Sequence, residues 1–170
     1  MAFNDDNFLD DYEIQELIER FENQLESGMP LFFDADELNI ILEHYVQKND
    51  IPKINIIADL ASTYHTTNPL TNLIMAKKYL SVQDAPNALP YLKDECNNTE
   101  DADYQLSLAY CYSLLDEHQN SLTAYKKAIK LLNSAKNPLI LLGGGALNSV
   151  EQVKFLTKRT NIPVISTLMG

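Results

Sequence analysis

A chain of 170 residues with 45% apolar side chains can bury a sizeable core in one or two domains and is too apolar for a disordered segment. Its formal net charge is -11, spread unevenly: 15 acidic and 3 basic side chains in residues 1–68, 8 and 6 in 69–135, and 1 and 4 in 136–170. So acidic an amino-terminal half argues against nucleic acid and an anionic membrane surface as partners, and leaves either a solvated helix face or a surface for a basic partner.

The start, Met1 to Asp6, is acidic where a secretory signal would be basic and then apolar, and no apolar run reaches spanning length, so a cytoplasmic protein is expected. From Asp10 to Ser27, Tyr12, Ile14, Leu17, Ile18, Phe21 and Leu25 recur at helical spacing, with Glu13, Glu16, Glu19 and Glu22 on the polar side. This predicts an amphipathic helix, broken by Gly28-Met29-Pro30, with the apolar stretch 30–33 packing between it and the first repeat unit. Residues 1–33 read as a capping region.

From Ala35 the chain is periodic. Tyr45, Tyr79 and Tyr112 lie 34 and 33 residues apart, the length of one helical hairpin, and units begun at Ala35, Pro69 and Ala102 align throughout. The eighth residues are Leu42, Ala76 and Ala109, the twentieth Ile54, Ala88 and Ser121, the twenty-fourth Ala58, Leu92 and Tyr125, the twenty-seventh Ala61, Glu95 and Ala128. Small residues at positions 8 and 20 let two helices approach, while the large ones at 11 and 24 fill the space beside them. Asp34 with Glu37 forms a capping box, and Asn68-Pro69 is a cap followed by proline at the first helical position. The middle unit is the least regular: Glu95 replaces the alanine, and Pro90 is expected to shorten or kink its second helix.

On these residues the chain resembles the tetratricopeptide repeat over 34–135, with the third unit, Leu108-Ala109 through Tyr112, Ser121, Tyr125 and Ala128, the closest match. The resemblance implies a mainly α fold, an α-solenoid of antiparallel helical hairpins. It also implies a noncatalytic scaffold that takes a protein or peptide partner in an inner groove. In that family the groove positions correspond here to Asn39, Glu43 and Val46, then Leu73, Lys77 and Leu80, then Leu106, Tyr110 and Ser113. Leu73, Leu80 and Leu106 could equally be packing residues. The lysine and asparagine clamp with which some members hold a terminal carboxylate is not matched.

The period stops near Asn133. Asn137-Pro138-Leu139-Ile140-Leu141-Leu142 reads as a buried strand entering Gly143-Gly144-Gly145. Ser149 and Gln152 cap a following helix, and Asn161-Ile162-Pro163-Val164-Ile165-Ser166 reads as a second strand. Residues 136–170 are thus expected to form a short βαβ segment. The run Pro138 to Ala146, together with Asn161 to Val164 and Thr167-Leu168-Met169-Gly170, resembles the opening of the central domain of thiamine-diphosphate enzymes, acetolactate synthases in particular. In those enzymes this domain holds FAD, and the resemblance places Gly144, Gly145, Thr167, Leu168 and Met169 near it. The family's activating glutamate and its Gly-Asp-Gly motif have no counterpart, and Gly143 to Asn148 lacks the last glycine of the dinucleotide fingerprint.

The expectation is therefore a tail without catalysis and a chain without cofactor, with FAD only if the tail belongs to a complete central domain, and with the end at Gly170 reading as truncation or fusion. The competing reading is a fragment of an acetolactate synthase-like carboligase. Cys96 and Cys111 are too few and too far apart for a zinc site or disulfide framework. His44, His65 and His118 fall at different repeat positions, so no metal or catalytic group is expected.

Overall fold

The computed structural model describes residues 11–94, 97, 99–134, 140–142, 154, 158 and 164–166. Among the described residues seven helices come first: α1 (Asp11–Ser27), α2 (Ala35–Lys48), α3 (Ile51–Tyr64), α4 (Pro69–Ser81), α5 (Ala85–Leu92), α6 (Ala102–Leu114) and α7 (His118–Ser134). They are followed by β1 (Ile140–Leu142) and β2 (Val164–Ser166). The chain divides into two compact units, residues 1–84 with α1 to α4 and residues 85–170 with the rest. No helix among the described residues is long and apolar enough to cross a membrane.

Helices α2, α4 and α6 begin at the three residues where the sequence period places its units, and each is started by a side chain. Asp34 and Glu37 form the reciprocal capping box; Asn68 accepts from the Leu70 amide with Pro69 in the first turn; Asp101 accepts from the Tyr104 amide. The period also recurs in the backbone. Asn49, Gln83 and Asp116, each the fifteenth residue of its unit, are the described non-glycine residues with positive φ, at 54°, 59° and 58°. A left-handed residue reverses the chain after the first helix of each unit, and asparagine and aspartate tolerate that conformation better than glutamine does.

In the first unit, α1, α2, α3 and α4 share a core of Leu17, Ile18, Phe21, Leu38, Ile41, Leu42, Ile54, Ile57 and Ile74, with α4 packing on both α2 and α3. Phe33 enters this core while its neighbour Phe32 stays exposed, so the 30–33 segment divides its apolar side chains between core and solvent. Phe21 meets the rings of Phe33 and Tyr45, each at 5.7 Å between centroids. Polar contacts around the same tyrosine also fasten α1. The Tyr45 hydroxyl donates to Glu22 Oε1 at 2.9 Å, Lys53 Nζ donates to the same oxygen at 3.3 Å, and that ammonium lies 4.6 Å above the Tyr45 ring.

In the second unit α6 packs on α5 and on α7. The small positions do what the pattern requires: Ala109 and Ala128 are fully buried, and buried Ser121 Oγ donates to the Ala109 carbonyl at 2.9 Å. That bond links position 20 of α7 to position 8 of α6, so the two backbones approach there to within the reach of one hydroxyl. Helix α5 is only eight residues long and contains Pro90, which removes an amide from the helix ladder; the Tyr104 hydroxyl donates to the Leu92 carbonyl at its end. β1 and β2 pair in parallel, with Ile140 opposite Val164, Leu141 opposite Ile165 and Leu142 opposite Ser166. Parallel pairing is what a βαβ connection produces. Between the strands Lys154 and Lys158 are described, both helical.

Two substitutions probe the stability of these contacts. Ala109→Leu should cost about 1–3 kcal/mol, because the added side-chain carbons meet the α7 backbone where Ser121 reaches across; chemical denaturation of the full chain measures it. The second concerns α1. Accepting from the Tyr45 hydroxyl and then from Lys53 holds the Glu22 carboxyl below its usual range against the opposing effect of burial. A depressed carboxyl contributes stability above its unfolded pKa, and that contribution is lost as pH falls through the folded value. Because Glu22 keeps 41% of its side chain in solvent, Tyr45→Phe should lower stability at pH 7 by no more than about 1 kcal/mol, and the gap to the parent should narrow below about pH 4. Melting curves at pH 7 and below pH 4 test this; a gap independent of pH would contradict it.

Candidate functional site

The groove positions fall into two groups, one in each unit. In the first unit Lys77 of α4 is buried, with 9% of its side chain exposed, and its ammonium donates to Asn39 Oδ1 at 3.3 Å and to the carboxylate of Glu43, both on α2. Leu73 and Leu80, on the same helix, are buried. Asn39, Glu43 and Lys77 thus come together, as an internal ion pair and hydrogen bond between α2 and α4. Glu43 keeps 43% of its side chain in solvent, which leaves one end of the pair hydrated. In the second unit Leu106 and Tyr110 lie one turn apart on α6, each 40% exposed, and Ser113 is exposed near them in sequence on the same helix.

Other reactive side chains have structural surroundings. His65 Nε2 is 2.7 Å from the Phe33 carbonyl, and the Thr71 hydroxyl donates to the His65 carbonyl, so this residue ties the end of α3 to the segment before α2 and to the start of α4. The His44 ring stands edge-on to Tyr45 at 5.0 Å, and burial lowers its basicity. Cys111 is buried with its sulfur 3.5 Å from the Ala85 carbonyl, and burial pushes its thiol up, which makes it a poor nucleophile. Cys96 lies outside the described residues. Among the described residues no three His, Cys, Asp or Glu side chains are grouped to hold a metal ion. An open depression of about 660 Å³ runs along α1, walled by Glu13, Glu16, Glu19 and Glu37, with Arg20 paired to Glu37.

The tail residues Gly144, Gly145, Thr167, Leu168 and Met169 lie outside the described residues. The strands that precede them are described, and their register carries the geometry that matters. Leu142 and Ser166 are opposite one another at the carboxyl ends of two parallel strands. The glycine run is bonded directly to the first and Thr167 to the second. In open α/β sheets ligands bind beyond the carboxyl ends of the strands, so the two motifs, 22 residues apart between Gly145 and Thr167, start from the same sheet end.

Comparison with known proteins bears on this segment. Residues 125–170 match the family model of the thiamine pyrophosphate enzyme, central domain. The probable acetolactate synthase large subunit of Methanococcus aeolicus is 57% identical over 47 residues, 26% of this chain and 8% of that protein. The chloroplastic acetolactate synthase 3 of Brassica napus is 45% identical over 42 residues, 25% of this chain and 6% of that protein. The acetolactate synthase large subunit of Haemophilus influenzae is 47% identical over 47 residues, again 26% and 8%. The chain therefore spans less than a tenth of the length of these relatives. No solved structure matches it. The expectation of a chain without a cofactor is corrected by these matches, because the segment from Tyr125 onward is similar to a domain of enzymes named for thiamine pyrophosphate. That expectation weighed the missing catalytic motifs against the tail. Those motifs lie in other domains of the family, so their absence says nothing about a central-domain segment.

Proposed function

We propose that residues 125–170 are the opening segment of a central domain of a thiamine-pyrophosphate-dependent, acetolactate synthase-like carboligase, carried at the end of a helical array. The observation that supports this reading most strongly is the 57% identity over 47 residues, joined to a parallel strand pair whose carboxyl ends are in register. On this reading the segment forms a βαβ unit. Gly144 and Gly145 let a cofactor approach the backbone after β1, while Thr167, Leu168 and Met169 border it after β2. By the resemblance, these positions would border the FAD site of the acetolactate synthase central domain. Thiamine pyrophosphate supplies the carbanion stabilisation of the carboligase reaction, and the residues that would bind and activate it belong to other domains.

Exchange of the segment tests this directly. The matched residues of the Methanococcus aeolicus protein are replaced by 125–170 of this chain, and flavin retained after gel filtration is measured together with acetolactate formed. The chimera should keep both within about tenfold of the parent, and Gly145→Val in the chimera should release flavin. A chimera that folds but retains no flavin would contradict the proposal.

A second reading concerns α2 to α7, where the 33- and 34-residue period, the caps and the fifteenth-residue turns support a tetratricopeptide-like array that binds a protein segment. Of the groove positions, Leu106 and Tyr110 are the exposed apolar pair on which this reading rests, with Ser113 beyond them. Asn39, Glu43, Leu73, Lys77 and Leu80 are taken up by the packing of the first unit. A peptide selected from a random library on the full chain should lose about tenfold or more in affinity on Tyr110→Ala, with the melting temperature unchanged. Peptides that ignore the substitution would place recognition elsewhere.

A further inference from the structure

Helix α7 has two faces of opposite character. Ser121, Ala124 and Ala128 are buried, whereas Leu122, Tyr125, Ile129 and Leu132 remain between 38% and 55% exposed. The exposed four are spaced 3, 4 and 3 residues apart, which sets them in one stripe about 15 Å long. Lys126 and Lys130, both exposed, follow the edge of the stripe one turn apart, and α7 contains no acidic side chain. Large apolar side chains in a stripe bordered by charge of one sign mark a face for a partner.

The complement of this face is on α1, whose sequence carries six acidic side chains and one basic. The depression along that helix is walled by four carboxylates and the guanidinium of Arg20, with Leu17 and the exposed Met29 as apolar lining. It runs from Glu13 to Gln24, about 16 Å of helix, the length of the α7 stripe. Arg20 is paired with Glu37, while Glu16 and Glu19 are exposed at the rim. Two stripes packed on each other would bring Lys126 and Lys130 of one helix beside those of the other, whereas a stripe laid in the depression brings them beside carboxylates. We propose that the α7 stripe of one copy of this chain docks in the α1 depression of a second copy, the apolar residues meeting Leu17 and Met29 and the lysines meeting Glu16 and Glu19. Such a contact is heterologous: every copy keeps one unused stripe or one unused depression, so copies add head to tail. The net charge of -11 does not prevent it, because charges more than about 8 Å apart are largely screened at physiological salt and the local pairing decides. This inference is independent of the function proposed for residues 125–170.

Sedimentation of the full chain over a range of concentrations tests it. The average mass should rise with concentration and fall as salt is added. Lys126→Glu with Lys130→Glu in one variant, and Glu16→Lys with Glu19→Lys in another, should each weaken self-association about tenfold or more. Both should keep the helical circular dichroism of the parent, since all four positions are exposed and lysine and glutamate both suit a helix. Mixed together, the two variants should associate again: the reversed stripe of one meets the reversed depression of the other, and the parent surfaces meet in the second contact. Docking within one chain, or with a different protein, does not give that recovery. A chain that stays monomeric at every concentration would overturn the proposal, as would variants that remain apart when mixed. A dimer that ignores the α1 reversal but is lost on Ile129→Asp would overturn it in favour of stripes packed on each other.

Discussion

The close approach of α6 and α7 at small residues is the constraint on which the second unit rests. It is seen most directly where Ser121 Oγ reaches the Ala109 carbonyl, since a hydroxyl spans that gap only if no larger side chain stands in it. The corresponding positions of α2 and α3 are the buried Leu42 and Ile54, so the first unit packs there through large side chains instead. A helix held by small residues on one side is then free to carry large apolar residues on another. α7 does this: Leu122, Tyr125, Ile129 and Leu132 stay exposed along it, and the match to the central-domain model starts at Tyr125.

Polar groups act as fasteners around this packing. Lys77 is removed from water by α4 packing and is matched by Glu43 and Asn39, so the charge is satisfied within the first unit. Glu22, Tyr45 and Lys53 do the same between α1 and the helices beneath it. The acidity of the amino-terminal half is therefore partly structural: Glu22, Glu37 and Glu43 each hold a cation, while Glu13, Glu16 and Glu19 stay exposed on α1.

Helix starts were legible in the sequence because caps are local: Asp34 with Glu37, and Asn68 with Pro69, act within four residues. Pro90 likewise announced a short α5 through its missing amide. The left-handed turn at Gln83 was hidden, since glutamine is not a turn residue by preference and only the period could have pointed to it. Lys77 read as a groove contact because sequence spacing reports a helix face and not what packs against that face. The stripe on α7 was hidden for the same reason: Leu122, Tyr125, Ile129 and Leu132 have the spacing of a core, and exposure is a property of the neighbours. In the tail, the glycine run and the Thr-Leu-Met-Gly turn were readable as a resemblance, whereas the cofactor depends on parts of the relatives that this chain does not span.

Hydrogen exchange of the full chain, resolved along α6 and α7, tests the central claim most directly. If α7 is one helix held to α6 at small residues, amides of 118–124 and of 125–134 should exchange slowly and together, with the protection of α6. A step in protection at Tyr125, with 125–134 exchanging in common with the strands instead of the hairpin, would contradict it.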